Sequence, residues 1–277
     1  MIIPFGKEGL PPLTTINNWS FKRFLNSYRK AIIIILKSTL SDKIGDFMVT
    51  FDPDFTEVVF FDIECYVPPE DQEKQGRSSL VFNAAKSNHF ILGGVFRQMF
   101  PCKGKREPEP ASHIWNFRRD DEKSTLIDIY EYFNRCWEAI DKRRRKDNPD
   151  LILVGTGISR HDIPALYVRS VKHNIASKEE LYETYFKAKV VDLGEAAIPL
   201  FTKNASVYPL YPKTADELLK ELGIKSAKSS GKKVWKMYEA NDFEGIKART
   251  AAEVEDAIAM AVAIIKRCPE SPKSKSL

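Results

Sequence analysis

The sequence predicts an α/β protein: a mixed β-sheet covered by helices, preceded by an N-terminal extension. Three observations carry this reading. Val58-Val-Phe-Phe-Asp-Ile-Glu64 is an apolar strand that runs into two acids. Glu122–Arg145 places Leu126, Ile129, Tyr130, Phe133, Trp137 and Ile140 on one face of a long helix. Leu151–Val154 is a short apolar strand that passes through Gly155 and Gly157 into a further helix. Three strands, a helix, a strand, a helix, a strand and then helices is an order that builds a mixed sheet with helices packed on it.

Residues 1–54 read as the extension. Pro4, Gly6, Gly9, Pro11 and Pro12 make its start irregular. Trp19–Leu40 has Phe21, Phe24, Leu25 and Tyr28 at helical spacing. Phe47–Phe51 and Val58–Cys65 flank the turn signal Asp52-Pro53-Asp54, which predicts a hairpin. Residues 55–267 form the main domain. In it Pro68–Lys86 reads as a polar loop, and His89–Phe100 and Ser112–Phe117 as strands joined by a Pro- and Lys-rich segment. Asp162–Asn174 reads as a helix and Lys189–Val191 as a strand, with Asp192 and Glu195 spaced as a capping box. Thr214 and Glu217 repeat that spacing before Leu218–Leu222, which Gly223 closes. Ser230–Asn241 and Phe243–Lys266 are the last helices, and 268–277 reads as a disordered tail.

The totals exclude several classes. The longest apolar run, Ala31–Leu36, is far too short to span a bilayer, and no cleavage signal follows it, so neither membrane insertion nor a signal peptide is expected. The four cysteines are scattered without a C-x-x-C pair, which argues against a zinc site or a disulfide framework and fits a reducing, cytoplasmic compartment. A net charge of +5 is compatible with nucleic acid without requiring it.

Strand side chains alternate, so Asp62 and Glu64 point to the same side. Two carboxylates at the end of a buried strand need positive charge between them, and divalent Mg or Mn is the usual answer. The competing reading is an edge strand whose acids meet solvent; the apolar run before the pair favours a central strand. Asp162 opens its helix, where the dipole alone favours an acid. Gly155 and Gly157 leave room there for a ligand. On the last helix Val254, Ile258, Ala261 and Ile265 form one apolar stripe. Asp256 lies in a second stripe, with Ala252, Ala259 and Ala263, on the other side.

Together these three elements resemble the DEDD superfamily of 3′–5′ exonucleases, and most closely the exonuclease domains of family B DNA polymerases. Phe61-Asp-Ile-Glu64 is similar to the first motif of that family and Gly157–Leu166 to its second. Lys213–Gly223 and Ser229–Trp235 are similar to the approach to its third. The resemblance covers residues 56–266 and implies a ribonuclease H-like fold. It implies that Asp62, Glu64, Asp162 and Asp256 hold two Mg or Mn ions, with Asp62 bridging them. Such ions sit about 3.5–4 Å apart, activate a water and stabilise the leaving 3′ oxygen. The family carries a Tyr four residues, or a His five, before the last Asp; Ala252 and Ala251 stand there, so the general base is unassigned. His161 is expected to face away from the acids, at the surface, and Tyr238 on the preceding helix would have to swing in to serve.

The implied substrate is single-stranded nucleic acid with a 3′ end, DNA before RNA. The loop Lys225–Lys233 carries four lysines and three serines. It reads equally as a solvated connection or as a strand contact through Lys228, Lys232 and Lys233. The alternative to an exonuclease is a module of the same fold that binds nucleic acid or a protein without turnover; a third class is another ribonuclease H-like nuclease that cuts internally.

Overall fold

The computed structural model describes residues 56–72, 82–99, 110–141, 150–198, 200–201, 214–228 and 233–267. The expected extension, the first arm of the hairpin, the tail, the basic run 142–146 and Lys232 lie outside the described residues. The frame is a five-stranded mixed sheet of β1 (Thr56–Tyr66), β2 (Phe90–Met99), β3 (Ser112–Trp115), β4 (Asp150–Gly155) and β5 (Lys189–Asp192), in the order β3-β2-β1-β4-β5. β1 is central: it pairs antiparallel with β2 and parallel with β4, and β4 pairs parallel with β5.

The helices are α1 (Pro69–Gln72), α2 (Glu122–Asp141), α3 (Asp162–Lys172), α4 (Lys178–Tyr185), α5 (Leu193–Ala197), α6 (Ala215–Leu222), α7 (Val234–Glu239) and α8 (Phe243–Arg267). Two departures from expectation are local. α1 sits inside the segment read as a loop. α4 has a capping box of its own, in which Ser177 Oγ accepts from Glu180 N at 3.1 Å and Glu180 Oε2 from Ser177 N at 2.9 Å. The box at Thr214 and Glu217 forms, and Gly223 closes α6 with φ 66°. Asp192 caps α5 differently from the expected box: its Oδ1 accepts from Gly194 N at 3.1 Å, one residue earlier than Glu195.

Each face of the sheet has its own core. Val59, Phe61 and Ile63 of β1 pack with Leu126, Ile129 and Phe133 of α2 and with Ile163 and Leu166 of α3. Val58 and Phe60 pack on the opposite face with Leu218 and Leu222 of α6 and Val254, Ala257, Ile258 and Ala261 of α8. Period-two alternation therefore sends Asp62 and Glu64, the next members of the Val58–Phe60 row, toward α8. The last β1–β4 partner pair is Phe60 with Val154, so both acids project past the paired end of β4. The chain leaves β4 at Gly155, where a Cβ would stand 2.9 Å from Phe61 O and 2.5 Å from Ile158 Cγ2. The space that this glycine frees is thus filled by protein, not held open for a ligand.

The α2/α3 face is locked by a buried ion pair. Glu122, the first residue of α2, accepts from Ile91 N and Arg169 Nε, each at 2.8 Å, from a second Arg169 nitrogen, and from His173 Nε2 at 2.8 Å. Arg169 Nη1 donates to the carbonyls of Ala84 (3.0 Å) and Lys86 (2.7 Å). One carboxylate thereby joins β2, α2 and α3, and α3 is the helix that presents Asp162.

Candidate metal centre

A cleft of about 660 Å³ opens at the end of the β1–β4 pair, between the sheet, the turn before α3, and helices α5, α6 and α8. Asp62, Glu64, Asp162, Asp192, Glu195, Glu253 and Asp256 all line it, with Arg160, His161, Lys228 and Arg249. The four acids picked out in the sequence therefore reach one cavity.

They do not stand alike within it. One oxygen each from Asp62, Glu64 and Glu253 lies within 4.8 Å of the others, close enough for one cation to touch all three. The third acid of this group is Glu253 and not Asp256. α8 lays Ile246, Thr250, Ala257, Met260 and Ile264 inward at i, i+3 and i+4 spacing, and Glu253 belongs to that row. Thr250 Oγ1 donates to Glu64 Oε1 at 3.0 Å and fixes its orientation. Asp256 is buried in a different setting: Oδ2 accepts from Ser226 Oγ at 2.6 Å and Oδ1 from Ala227 N at 2.7 Å. Both of its oxygens anchor the loop that follows α6.

Asp162 approaches from the other wall as the first residue of α3. Asp192 Oδ2 accepts from Ser159 Oγ at 3.0 Å, tying the preceding turn to β5. His161 departs from expectation. Its backbone, at φ −123° and ψ −68°, is not helical, so its ring turns inward and Nδ1 lies 2.7 Å from Asp162 Oδ1. The other oxygen, Asp162 Oδ2, is buried and has no hydrogen-bond partner. A buried carboxylate oxygen without a partner among the described residues is a costly feature. The three oxygens that meet within 4.8 Å come from Asp62, Glu64 and Glu253 without Asp162, and carboxylate oxygens of this kind could hold Mg or Mn.

The electrostatics agree with crowding. Desolvation, then the charges of Glu64, Glu253 and Asp162, hold Asp62 well above the usual carboxylate range, against the pull of Arg249. Desolvation and Glu253 push Glu64 up to about 8, against Arg249 and the Thr250 hydrogen bond. Burial raises Asp162 too, although His161 opposes it. For His161 burial disfavours the charged form, but the hydrogen bond and charge of Asp162 outweigh it and its pKa rises. In the absence of metal the folded chain therefore keeps a proton on Glu64 between about pH 4.5 and 8, where the unfolded chain has released it. Stability then falls as pH rises through that window, by up to about 1.4 kcal/mol per pH unit for one proton. Thermal melts in EDTA are expected to show a lower Tm at pH 8 than at pH 5.5, and Glu64→Gln should flatten the trend. A Tm in EDTA that is flat or rising over this range contradicts the crowding.

The remaining candidates are placed as follows. Lys228 lines the cleft. Lys233 stands at the N-terminal end of α7 without a side-chain cap bond and lays Nζ 4.8 Å from the centre of the Trp235 ring, outside the residues that line the cavity. Tyr238 is occupied elsewhere: its hydroxyl donates to Phe117 O at 2.9 Å and its ring packs on Tyr66. Ala251 and Ala252 offer no side-chain base. Among the described residues no helix is long and apolar enough to cross a membrane. Compared with family models, with curated proteins and with solved structures, the chain gives no match.

Proposed function

We propose that this protein is a divalent-cation-dependent 3′–5′ exonuclease of ribonuclease H-like fold, acting on single-stranded nucleic acid. The observation that carries the reading is the meeting of Asp62, Glu64 and Glu253 in a cleft that Asp162 also lines. A mixed sheet with the acid-bearing strand at its centre and helices on both faces supports the fold assignment. The direction of attack rests on the sequence resemblance.

Asp62 and Glu64 present oxygens from the rigid strand, and Glu253 meets them from α8. Thr250 holds Glu64 in its rotamer, and His161 holds Asp162 through Oδ1 on the wall of the cleft. Divalent cations held by Asp62, Glu64 and Glu253 would supply the positive charge that lowers the pKa of an attacking water and stabilises the departing 3′ oxygen. Asp256 holds Ser226 and Ala227, the residues before Lys228, whose Nζ lies 3.5 Å from Glu253 Oε1. This assignment differs from the family pattern at one ligand, with Glu253 taking the place that the resemblance gives to Asp256.

The test is digestion of 5′-labelled single-stranded DNA and RNA with Mn²⁺ or Mg²⁺. Products shortened stepwise from the 3′ end, and abolished by EDTA, are expected. Internal cuts would point to an endonuclease instead. The non-enzymatic module is favoured by one feature, the Ala251-Ala252 pair on the α8 turn that precedes Glu253. Tight strand binding that EDTA leaves intact, with no shortening, would select it.

A further inference from the structure

Two cations crowd Glu253. Arg249, one turn earlier on α8, brings Nη2 to 2.9 Å from Glu253 Oε1. Lys228 Nζ lies 3.5 Å from the same oxygen and 2.6 Å from Asp216 Oδ1. Both cationic side chains are only 17% exposed, and both line the cleft. Asp216, at 72% exposure, tethers Lys228 from the solvent side. A cation shared by Asp62, Glu64 and Glu253 has to compete with these two groups, because like charges around one oxygen repel. A guanidinium released from a carboxylate presents a planar fork that matches phosphate oxygens, and an ammonium on a flexible stem follows a phosphate as a point charge.

We propose that Arg249 and Lys228 form an exchangeable clamp: they neutralise Glu253 when no divalent cation is bound, and turn to a phosphate group of the nucleic-acid strand when one is. The clamp rests on the exonuclease reading, since it needs both a cation and a phosphate in this cleft. It explains why a site for cations contains two fixed positive charges. It also gives metal and strand an ordered relation, in which loading the acids frees the phosphate contacts.

The clamp makes two affinities move in opposite directions. Calorimetry on the full chain would titrate Mn²⁺ alone, then thymidine 5′-monophosphate at saturating Mn²⁺. Arg249→Gln removes a neighbouring positive charge, so Mn²⁺ is expected to bind about tenfold tighter, while the nucleotide binds about tenfold weaker for want of a charge-assisted contact. Lys228→Met, on the loop after α6, should shift both in the same senses but less. Arg249→Lys should keep the wild-type Mn²⁺ affinity and recover part of the nucleotide affinity. General damage to the site would weaken both ligands together. If Arg249→Gln does not fold, Lys228→Met carries the decision. Unchanged or weaker Mn²⁺ binding in the folded variants, or unchanged nucleotide binding, overturns the clamp alone. Wild-type protein that binds no Mn²⁺ at all overturns the exonuclease reading, and the clamp with it.

Discussion

Asp62→Asn should lose at least about 100-fold of metal-dependent strand shortening, since removal even of groups that support metal ligands commonly costs 10- to 100-fold. The same substitution should make the metal-free protein more stable. Asp62 is held well above its ordinary pKa by desolvation and by Glu64, Glu253 and Asp162, so a neutral amide of the same shape relieves repulsion. The gain is expected as a higher midpoint of urea denaturation in EDTA, at an unchanged slope. Loss of activity and gain of stability in one variant distinguish a functional acid from a structural one. A variant that keeps its activity, or that loses both activity and stability, contradicts the assignment.

Glu122→Ala should be the most damaging single change to the described fold. It strands the Arg169 guanidinium, 2% exposed, beside an empty buried site and removes the acceptor for Ile91 N and His173. Breaking one partner of a buried pair costs about 3–5 kcal/mol. Urea denaturation should register that loss as a lower midpoint with an unchanged slope. Because Arg169 and His173 anchor α3 and its C-terminal cap, Mn²⁺ affinity should also fall through Asp162. A cost below about 1 kcal/mol would show that the network adds little beyond packing.

Asp62 and Glu64 are legible in the sequence because strand alternation is rigid: once Val58 and Phe60 face α8, the acids must follow. Asp162 is legible because a Gly-rich turn after an apolar strand marks a helix start. The third carboxylate was harder to read. α8 buries residues nearly all round, including Val254, Asp256, Ala257, Ile258 and Met260, so an apolar stripe does not fix which side meets the sheet. Its rotation is set by tertiary packing. The row Ile246–Thr250–Glu253–Ala257–Met260–Ile264 was the available signal, since Glu253 is its one acid. His161 escaped for a different reason: helical projection fails at a cap residue whose backbone is not helical. α4 is absent from the expected elements although Ser177 and Glu180 carry the capping-box spacing that marks its start.

Crystals soaked in Mn²⁺ and measured at the manganese absorption edge test the central claim most directly. The account predicts anomalous density between Asp62, Glu64 and Glu253, with Asp162 Oδ2 facing it and Asp256 still bound to Ser226 and Ala227. Density absent from the cleft, or held by Asp256 while Glu253 stays paired with Arg249, would contradict it.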